Sequence, residues 1–312
     1  MKIAILGSNG FLGRNLAIAL DANPENKLIL FDKNASDENL TKKHHQFIGD
    51  ITELVTVKEL AKLINDCDVI CFKIGLLGLP SISSDISYLG RYLDVNANSF
   101  MHLMERCAKI NPAFWGKTSL LVDSSVMRFG GAGELFVDEM TRPEIPENYY
   151  GLSKHALEDF CQFLIANHNA KIHILRYSRV TSAATKNVIS ALIDKAISGT
   201  DLVLSGSMLK LFNFVHVADV TNLSLALIDK PKASAIWHCG GAYEITLPIL
   251  ANAVLDTVPS KSKVVITDEP SIMKGEVERL HFSDSITRKA IGLAKAITLK
   301  SIIAETFTEQ LK

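Results

Sequence analysis

The chain has 312 residues, of which 47% are hydrophobic and 21% charged, and its formal net charge at pH 7 is −1. Such a composition is typical of a folded protein with a full hydrophobic core, and it excludes a largely disordered chain. The balanced charge argues against nucleic acid or an anionic membrane as the main partner.

Neither the N-terminal segment nor the cysteines indicate a secreted or membrane-bound protein. The first apolar run stops at Gly7, too soon for a signal peptide, and no run reaches the ~18 apolar residues that suggest a membrane span. The five cysteines are scattered and form no CxxC pair, which is typical of reduced thiols without a structural metal. We therefore expect a cytoplasmic protein with no membrane partner and no metal site.

Short apolar runs alternate with longer amphipathic segments in the first part of the chain. The predicted strands are Lys2–Leu6, Lys27–Phe31, Val69–Phe72, Ser119–Val122 and Ile172–Arg176. The predicted helices are Phe11–Leu20, Glu53–Ile64, Asp94–Lys109 and Tyr149–Ala166. This alternation predicts an α/β fold with a doubly wound parallel sheet, a Rossmann domain, over residues 1–180.

The alternation becomes irregular after about residue 180. Two further helices are predicted, Val217–Leu227 and Thr298–Leu311, among shorter elements separated by glycines and prolines. Residues 181–312 are therefore expected to form a smaller α/β lobe that binds the substrate. An element around residues 210–240 is expected to return to the first domain.

Three glycines separate the first predicted strand from the first predicted helix. Gly7, Gly10 and Gly13 form a GxxGxxG pattern. Glycine at these positions permits a tight turn and lets backbone N–H groups approach a pyrophosphate. The positive end of the helix dipole then faces the phosphates. The pattern predicts a dinucleotide-binding turn.

An acidic residue follows the second predicted strand. Asp32 comes 19 residues after Gly13, where a carboxylate accepts hydrogen bonds from an adenosine ribose. It would repel a 2′-phosphate, which favours NAD over NADP as the cofactor. The neighbouring Lys33 weakens this inference, so the sequence does not exclude NADP.

A tyrosine, a lysine and a serine indicate hydride-transfer chemistry. Tyr150 and Lys154 are four residues apart and share one face of a helix. A phenol has a pKa near ~10, which a nearby ammonium or an oxidised nicotinamide ring lowers toward the range of a base. Ser125 follows a predicted strand, where its hydroxyl can hydrogen-bond the reacting oxygen of a substrate. The three residues predict transfer of a hydride between a nicotinamide cofactor and a carbinol or ketone carbon.

Several segments together match the motifs of one known family. They are Gly7-Ser-Asn-Gly10-Phe-Leu-Gly13, Gly49-Asp50-Ile51, Asn96, Ser124-Ser125-Val-Met-Arg-Phe-Gly130, Tyr150-Gly-Leu-Ser-Lys154, Leu175-Arg176-Tyr177 and Phe214-Val-His-Val-Ala-Asp219. Through them the chain resembles an extended short-chain dehydrogenase/reductase of the NAD-dependent epimerase/dehydratase family. The resemblance covers nearly the whole chain.

The resemblance implies a set of site residues. Ser125, Tyr150 and Lys154 would be catalytic. The residues implied to bind the cofactor are Gly7, Gly10, Phe11, Leu12, Gly13, Asp32, Asp50, Ile51, Lys73, Asn96, Tyr150, Lys154 and Tyr177. Substrate contacts are expected from Ser125, Arg179 and Lys210. Because family members often pair the helices corresponding to Asp94–Lys109 and Tyr149–Ala166, a homodimer is also implied.

The chain departs from the family pattern in three places. Where the fourth strand usually ends His-Leu-Ala-Ala, this chain has Cys-Phe-Lys73-Ile, and Lys73 either reaches solvent or contacts an anion. Arg179 replaces an asparagine that often contacts the nucleotide diphosphate. Phe212 stands where an arginine commonly binds phosphate, with Lys210 two residues earlier. Arg179 can replace the lost charge, or the substrate is not a nucleotide sugar.

Three functional hypotheses follow. The first is a nucleotide-sugar epimerase, and the second is a reductase or dehydrogenase of a sugar nucleotide or a smaller carbonyl compound. A non-catalytic dinucleotide-sensing protein is the third, and the filled catalytic positions argue against it. Val126 and Met127 follow Ser125 where 4,6-dehydratases carry an Asp-Glu pair, which argues against dehydratase chemistry.

Overall fold

The computed structural model describes residues 1–78, 85–129, 134–142, 144–146, 148–229, 233–267 and 279–312. Gly130, the last residue of the predicted serine segment, lies outside them. In chain order, the strands are β1 (Lys2–Leu6), β2 (Lys27–Asp32), β3 (His45–Ile48), β4 (Val69–Phe72), β5 (Ser119–Ser125), β6 (Glu134–Val137), β7 (Lys171–Tyr177), β8 (Arg179–Thr181), β9 (Leu202–Leu204), β10 (Leu211–His216), β11 (Ala235–Cys239), β12 (Glu244–Thr246), β13 (Val264–Ile266) and β14 (Arg279–Phe282).

The α-helices lie between these strands and after the last of them. They are α1 (Phe11–Asp21), α2 (Glu38–Thr41), α3 (Leu54–Ile64), α4 (Leu89–Leu93), α5 (Ser99–Ile110), α6 (Phe114–Lys117), α7 (Tyr149–His168), α8 (Val188–Ile197), α9 (Val217–Asp229), α10 (Leu247–Thr257), α11 (Ser285–Ile291) and α12 (Leu299–Gln310). Among the described residues, none of the helices is long and apolar enough to cross a membrane.

Internal contacts divide the chain into two units. The first consists of Met1–Gly130, Pro143–Arg176 and Thr221–Trp237, and the second of Gly131–Arg142, Tyr177–Val220 and His238–Lys312. The segment Gly131–Arg142 therefore belongs to the second unit although it precedes Arg176, which the sequence pattern did not indicate. The segment Thr221–Trp237 corresponds to the return element expected around residues 210–240.

The first unit is built on a seven-stranded sheet with the order β11-β7-β5-β4-β1-β2-β3. The pairs β3/β2, β2/β1, β1/β4 and β4/β5 are parallel. Within this register Leu6 pairs with both Phe31 and Phe72, and Phe72 pairs with Val122. The residues that follow these strand ends therefore come together at one edge of the sheet, the position at which doubly wound folds bind ligands.

Helices cover the sheet and explain its apolar strands. The residues Val69–Phe72 of β4 are all buried, as are the residues Ser119–Ser125 of β5. A buried cluster joins these strands to apolar side chains of α3, α5 and α7, among them Leu60, Phe100 and Leu157. This two-sided burial is the reason that the strands read as continuous apolar runs. The α/β fold predicted from the sequence is confirmed.

Several short elements of the first unit were not predicted from the sequence, and the strand β3 and the start of α5 show why. The strand β3 was not predicted, because His45–Ile48 is short and only partly buried at the sheet edge. The helix predicted over Asp94–Lys109 is present, but its first turn, Asp94–Asn98, is π-helical and leads directly into α5. Such a widened turn commonly occurs at functional sites.

The second unit is a smaller assembly of short strands and helices. Its three-stranded sheet has the order β12-β10-β8, with β10 parallel to β8 and antiparallel to β12. Two further strand pairs, β13/β9 and β14/β6, are parallel. An apolar cluster from α8, α10 and α12 packs around Phe212 and Phe214 of β10.

Candidate active site

The glycine turn joins β1 to α1 through a backbone that requires glycine. Gly7 has a φ of +90°, and a Cβ atom built on it would lie 2.9 Å from the carbonyl oxygen of Lys73. A Cβ atom on Gly13 would lie 2.0 Å from the carbonyl oxygen of Gly7. Both distances are too short for a side chain, so the approach of α1 to the strand ends depends on glycine.

The first turn of α1 presents backbone N–H groups to a ligand. The helix begins after Gly10, which has no side-chain cap. The N–H groups of Phe11, Leu12 and Gly13 precede the first helical hydrogen bond, which Arg14 N donates to Gly10 O over 2.8 Å. An uncapped helix start carries partial positive charge and binds anions. The turn thus fits the predicted contacts with a pyrophosphate.

The Asp32 carboxylate at the end of β2 is held in place by backbone groups. Its Oδ2 atom accepts a hydrogen bond from Asn9 N over 2.9 Å, and its Oδ1 atom accepts one from Asn34 N over 3.1 Å. Each carboxylate oxygen has two lone pairs, so both can still accept bonds from ribose hydroxyls. This arrangement fits the predicted ribose contact.

Lys33 and Asp50 form an ion pair beside this carboxylate. Lys33 Nζ lies 2.8 Å from Asp50 Oδ2. The Lys33 bond and hydrogen bonds from Thr52 lower the pKa of Asp50 to about 2. The next residue, Ile51, is buried. The Lys33 ammonium therefore has an anionic partner, Asp50, beside the predicted ribose site.

Asn96 lies in the π-helical turn and fastens the loop after β4. Its Oδ1 atom accepts a hydrogen bond from Leu76 N over 2.6 Å, and its Nδ2 atom donates to Ser153 Oγ over 2.9 Å. The side chain is completely buried. Asn96 therefore connects the loop that follows β4 to α7, the helix that carries the predicted catalytic pair.

The structure brings the three predicted catalytic residues together. Ser125 ends β5, and its Oγ atom accepts a hydrogen bond from Met127 N over 3.1 Å. That contact leaves the Ser125 hydroxyl proton available, and the hydroxyl acts on the neighbouring Tyr150 by lowering the pKa of its phenol. Asn148 caps α7 by accepting a bond from Gly151 N over 2.8 Å, which places Tyr150 in the first helical turn. Lys154 lies one turn later and donates from Nζ to Asp123 O over 3.0 Å.

Burial dominates the pKa values of the catalytic pair. It raises the pKa of Tyr150 to about 12, and the nearby Ser125 hydroxyl partly offsets this. It also lowers the pKa of Lys154 to about 8, against the opposing effect of the Asp123 and Glu158 charges. Lys154 is therefore mainly an ammonium at neutral pH.

Lys73 forms a buried ion pair. Its side chain is 1% exposed, and Nζ lies 2.6 Å from Asp123 Oδ1. The same ammonium donates to Ser224 Oγ of α9 over 3.2 Å. The interpretation that Lys73 extends to solvent is wrong, because its strand end is enclosed. The anion it contacts is a carboxylate of the protein, and a contact with the cofactor stays a prediction.

Glu158 anchors a second buried charge network behind the catalytic pair. It is completely buried, accepts a hydrogen bond from Ser124 Oγ over 2.5 Å, and lies 2.7 Å from Arg176 Nη2. Arg128 also forms an ion pair with it. One buried carboxylate thus fixes β5, β7 and α7 to one another.

Three predicted residues belong to the second unit: Tyr177, Arg179 and Lys210. Tyr177 is buried at the end of β7. The Arg179 guanidinium carbon lies 5.2 Å from the centre of the Phe212 ring, and Lys210 Nζ lies 5.9 Å from it. Phe212, which replaces the family's usual arginine, therefore has two cations over its ring, one from β8 and one from the residue before β10.

Sequence reasoning missed three residues next to the catalytic group. Asp123 and Arg128 form the buried ion pairs, and Tyr92 packs its ring against Tyr150 with a centroid distance of 6.1 Å while donating to Leu77 O. A signal existed for the first: a carboxylate at the end of an otherwise apolar strand requires a partner. Tyr92 carries no such signal, because a buried aromatic residue reads as ordinary core.

All five cysteines are buried and free. Burial raises the pKa values of Cys67, Cys71 and Cys107 to about 12, so these thiols are unreactive at neutral pH. Within the described part of the chain, no group of three or more His, Cys, Asp or Glu residues is arranged to hold a metal ion.

Comparison with known proteins identifies the family. The model of the NAD dependent epimerase/dehydratase family matches residues 3–245, well over half of the chain. The chain belongs to this family. Its members are enzymes that depend on NAD, and the matched region contains the glycine turn, the Ser125–Tyr150–Lys154 group and Arg179.

Individual relatives cover nearly the whole length of this epimerase/dehydratase family member. An ADP-L-glycero-D-manno-heptose-6-epimerase from Alkalilimnicola ehrlichii is 23% identical over 308 residues, which cover 93% of this chain and 91% of the relative. A UDP-glucose 4-epimerase from Thermotoga maritima, solved with UDP-glucose, has a TM-score of 0.84 at 17% identity and covers 100% of this chain and 99% of its own. A UDP-glucuronic acid 4-epimerase from Bacillus cereus, solved with UDP-glucuronic acid and NAD, has a TM-score of 0.83 at 19% identity with 100% coverage of both chains. These structures confirm the Rossmann-type fold.

Proposed function

We propose that this enzyme is an NAD-dependent nucleotide-sugar epimerase that acts on a hydroxyl or keto carbon of its substrate. The observation that carries the proposal is that Ser125, at the end of β5, lies beside Tyr150, with Lys154 one helical turn away on α7. Ser125 ends β5, a strand of the sheet that also contains β1, the strand before the glycine turn. Proton transfer and cofactor binding can therefore be combined at one site.

The residues at the carboxyl ends of β1 and β2 fit NAD. The glycine turn supplies a cradle that a Cβ atom at Gly7 or Gly13 would fill, and Asp32 supplies oriented oxygens for ribose hydroxyls. Lys154 is mainly cationic at neutral pH and would hold the hydroxyls of the nicotinamide ribose. When bound, NAD supplies the acceptor and donor for a hydride.

Tyr150 is the residue that would move the proton. Its burial favours the neutral phenol, as the raised pKa shows. A positive charge placed beside the ring shifts that balance toward the phenolate, which then takes the proton of a substrate hydroxyl. Ser125 would hold the same substrate oxygen by donating its one hydroxyl proton to it, while its oxygen accepts from Met127 N.

The second unit supports an anionic substrate. Arg179 and Lys210 place two cations around Phe212, and a guanidinium can bind a diphosphate with two parallel hydrogen bonds. Relatives that share the fold act on ADP-, UDP- and dTDP-linked sugars. We therefore favour a nucleotide sugar over a smaller carbonyl compound.

A reductase or dehydrogenase is the alternative function, since the same three residues would serve it. Net consumption of the cofactor separates the two reactions: an epimerase regenerates NAD in each turnover, whereas a reductase or dehydrogenase changes the amount of NADH in proportion to product. Neither Val126 nor Met127, the residues after Ser125, can act as the acid or base of a dehydratase.

A binding panel followed by product analysis tests the function. The melting temperature is first measured with NAD, NADP and UDP-, GDP-, ADP- and dTDP-sugars, because a ligand of the native state raises it. The best pair is then incubated with enzyme, and products are identified by NMR while absorbance at the NADH band is recorded. An isomerised sugar without accumulating NADH is expected. Stoichiometric NADH change would instead establish the alternative, and a response to no nucleotide sugar would refute the proposed substrate class.

We expect Arg179→Ala to raise the KM for the nucleotide sugar about tenfold, the effect of losing one or two charge-assisted hydrogen bonds. The kcat should change little, because the substitution leaves Ser125, Tyr150 and Lys154 in place. Steady-state kinetics at saturating NAD measure both constants. Lys195→Ala, which removes an exposed cation from α8 of the same unit, is the control and should leave KM unchanged. An unchanged KM in Arg179→Ala would place the diphosphate elsewhere.

We also infer that the protein is a homodimer that pairs α5 and α7 with their copies. Phe163 on α7 is 57% exposed, and Met101 and Ile110 on α5 also expose apolar side chains. The Phe163 ring lies 6.0 Å from His168, which lies 5.9 Å from Trp115. An exposed group of this kind is typical of an interface.

We expect Phe163→Glu to convert the dimer to a monomer, because each interface would bury two unpaired carboxylates. Light scattering coupled to size-exclusion chromatography measures the mass. Ile249→Glu, at a similarly exposed apolar residue of α10, should leave the mass unchanged. A monomeric wild-type protein, or a dimer that persists in Phe163→Glu, would contradict this arrangement.

The cysteines support a cytoplasmic location. All five are free and buried, and a protein of an oxidising compartment would more often join some of them in disulfides. We propose that the enzyme works in the cytoplasm, and fractionation of the source cells with an antibody against the chain tests this.

A further inference from the structure

Lys73 and Asp123 form a buried pair of opposite charges at the centre of the sheet edge. Both side chains are at least nine-tenths buried, and their charged atoms lie 2.6 Å apart. The two residues directly follow Phe72 and Val122, which are paired in the β4/β5 register. They are thus neighbours across two adjacent parallel strands. Burying two charges costs more than a surface ion pair gains, so a pair at this place calls for a reason beyond stability.

The same aspartate also contacts the catalytic lysine. Lys154 Nζ donates to the backbone carbonyl of Asp123 over 3.0 Å, while the Asp123 carboxylate faces Lys73. Asp123 therefore contacts two ammonium groups, that of Lys73 at its carboxylate and that of Lys154 at its backbone carbonyl. Of these two acceptors only the carboxylate carries a full negative charge, and Lys73 forms an ion pair with it.

The other carboxylate near Lys154 is already engaged. Asp123 and Glu158 are the acidic side chains whose charges act on Lys154. Glu158 is paired with Arg176 over 2.7 Å and with Arg128. If Lys73 lost its charge, the buried Asp123 carboxylate would lose the ammonium that lies 2.6 Å from it, which is strongly unfavourable, while Lys154 Nζ is held at the backbone carbonyl of the same residue. Lys154 would then be drawn to that carboxylate.

We propose that Lys73 is a positioning residue which neutralises the Asp123 carboxylate and so keeps the Lys154 ammonium available to the cofactor and to Tyr150. This inference rests on the proposed function, since it assumes that Lys154 holds the nicotinamide ribose. It assigns a role to a lysine at a strand end where the family usually has alanine.

Paired substitutions test the role of Lys73. We expect Lys73→Met to raise the dissociation constant for NAD about tenfold, which corresponds to ~1.4 kcal/mol. The double variant Lys73→Met/Asp123→Asn removes the Asp123 carboxylate as well. Its dissociation constant for NAD should be at most about three times that of wild type. Titration of the intrinsic fluorescence with NAD measures affinity without substrate, and the melting temperature is recorded for every variant. Lys62→Met, which removes a solvent-exposed ammonium from α3, is the control for charge loss alone.

The order of the affinities decides the outcome. The proposal is supported if Lys73→Met binds NAD weakly and the second substitution restores the affinity. If Lys73 served stability alone, the second substitution would not restore the affinity for NAD. If Lys73→Met does not fold, Lys73→Gln replaces it, since the amide still donates to the carboxylate but carries no charge. Equal affinities in wild type and the single variant, or equally weak binding in single and double variants, would overturn it. Failure of the proposed function is seen separately, as a wild-type protein that binds no NAD.

Discussion

Tyr150→Phe is expected to lower the turnover rate by about 10³-fold while leaving NAD affinity nearly unchanged, because it removes the proton-transferring oxygen and nothing else. The Ser125 hydroxyl acts on this phenol by lowering its pKa, so the substitution removes the oxygen that lies beside the predicted catalytic serine. Phenylalanine keeps the ring that packs against Tyr92, so the fold should be retained. Rate measurements under saturating NAD and substrate, together with NAD titration of the variant, separate chemistry from binding.

Tyr92→Phe is the matched control for this substitution. Tyr92 is completely buried and its ring lies 6.1 Å from that of Tyr150, but its hydroxyl donates to Leu77 O of the loop after β4. Losing that bond should cost about 1 kcal/mol of stability and leave the turnover rate within a few-fold of wild type. If Tyr150→Phe retained most of its turnover, or if both variants lost it equally, proton transfer by Tyr150 would be refuted.

The elements that carry the site were predictable from the sequence because their signals are local. The strand β1, the glycine turn and α1 follow one another within 21 residues, and each has its own pattern. The Tyr150–Lys154 spacing needs only one helix to bring both side chains to one face. Asp32 needs only the knowledge that it ends a strand parallel to β1. None of these predictions requires the register between distant strands.

The partners of the buried charges could not be predicted in this way. Lys73 and Asp123 are 50 residues apart, and they meet because β4 and β5 pair with Phe72 opposite Val122. A register shifted by one residue would turn one of the two side chains to the opposite face of the sheet. The sequence therefore left Lys73 with two interpretations, solvent or an anion, and only the pairing shows that its partner is Asp123.

The pKa of Tyr150 also could not be predicted from the sequence alone. From the sequence, Lys154 is expected to lower the pKa of Tyr150, since the two residues share a helix face. In the structure, Lys154 is directed to the carbonyl of Asp123, and burial controls the phenol. Helical spacing fixes which face a side chain occupies, but the direction of a long, flexible lysine depends on the groups around it. Activation of Tyr150 thus depends on what is bound beside it as well as on its neighbours in the chain.

Gly13→Ala is expected to abolish measurable NAD binding and turnover and to lower stability by about 1–3 kcal/mol, the usual cost of an overpacked site. The new Cβ atom would lie 2.0 Å from the carbonyl oxygen of Gly7, and 2.8 Å from its carbonyl carbon. These are backbone atoms, so the conflict is relieved only if α1 moves away from the turn. The N–H groups of its first turn would then lose their alignment with the pyrophosphate. Thermal melting with and without NAD measures both effects.

Gly116→Ala shows whether the loss is specific to the turn. Gly116 lies in α6, and apart from its chain neighbours and its own helix backbone no atom of the described residues lies within 4 Å of the position of its added Cβ atom. Alanine also has the higher helix propensity, so this variant should be as stable as wild type or slightly more stable, and should bind NAD normally. A Gly13→Ala variant that kept both its melting temperature and its response to NAD would mean that α1 tolerates a side chain at its closest approach to the sheet. The pyrophosphate would then have to be bound by other groups than the first turn of α1, because that turn cannot both shift and keep its N–H groups in place.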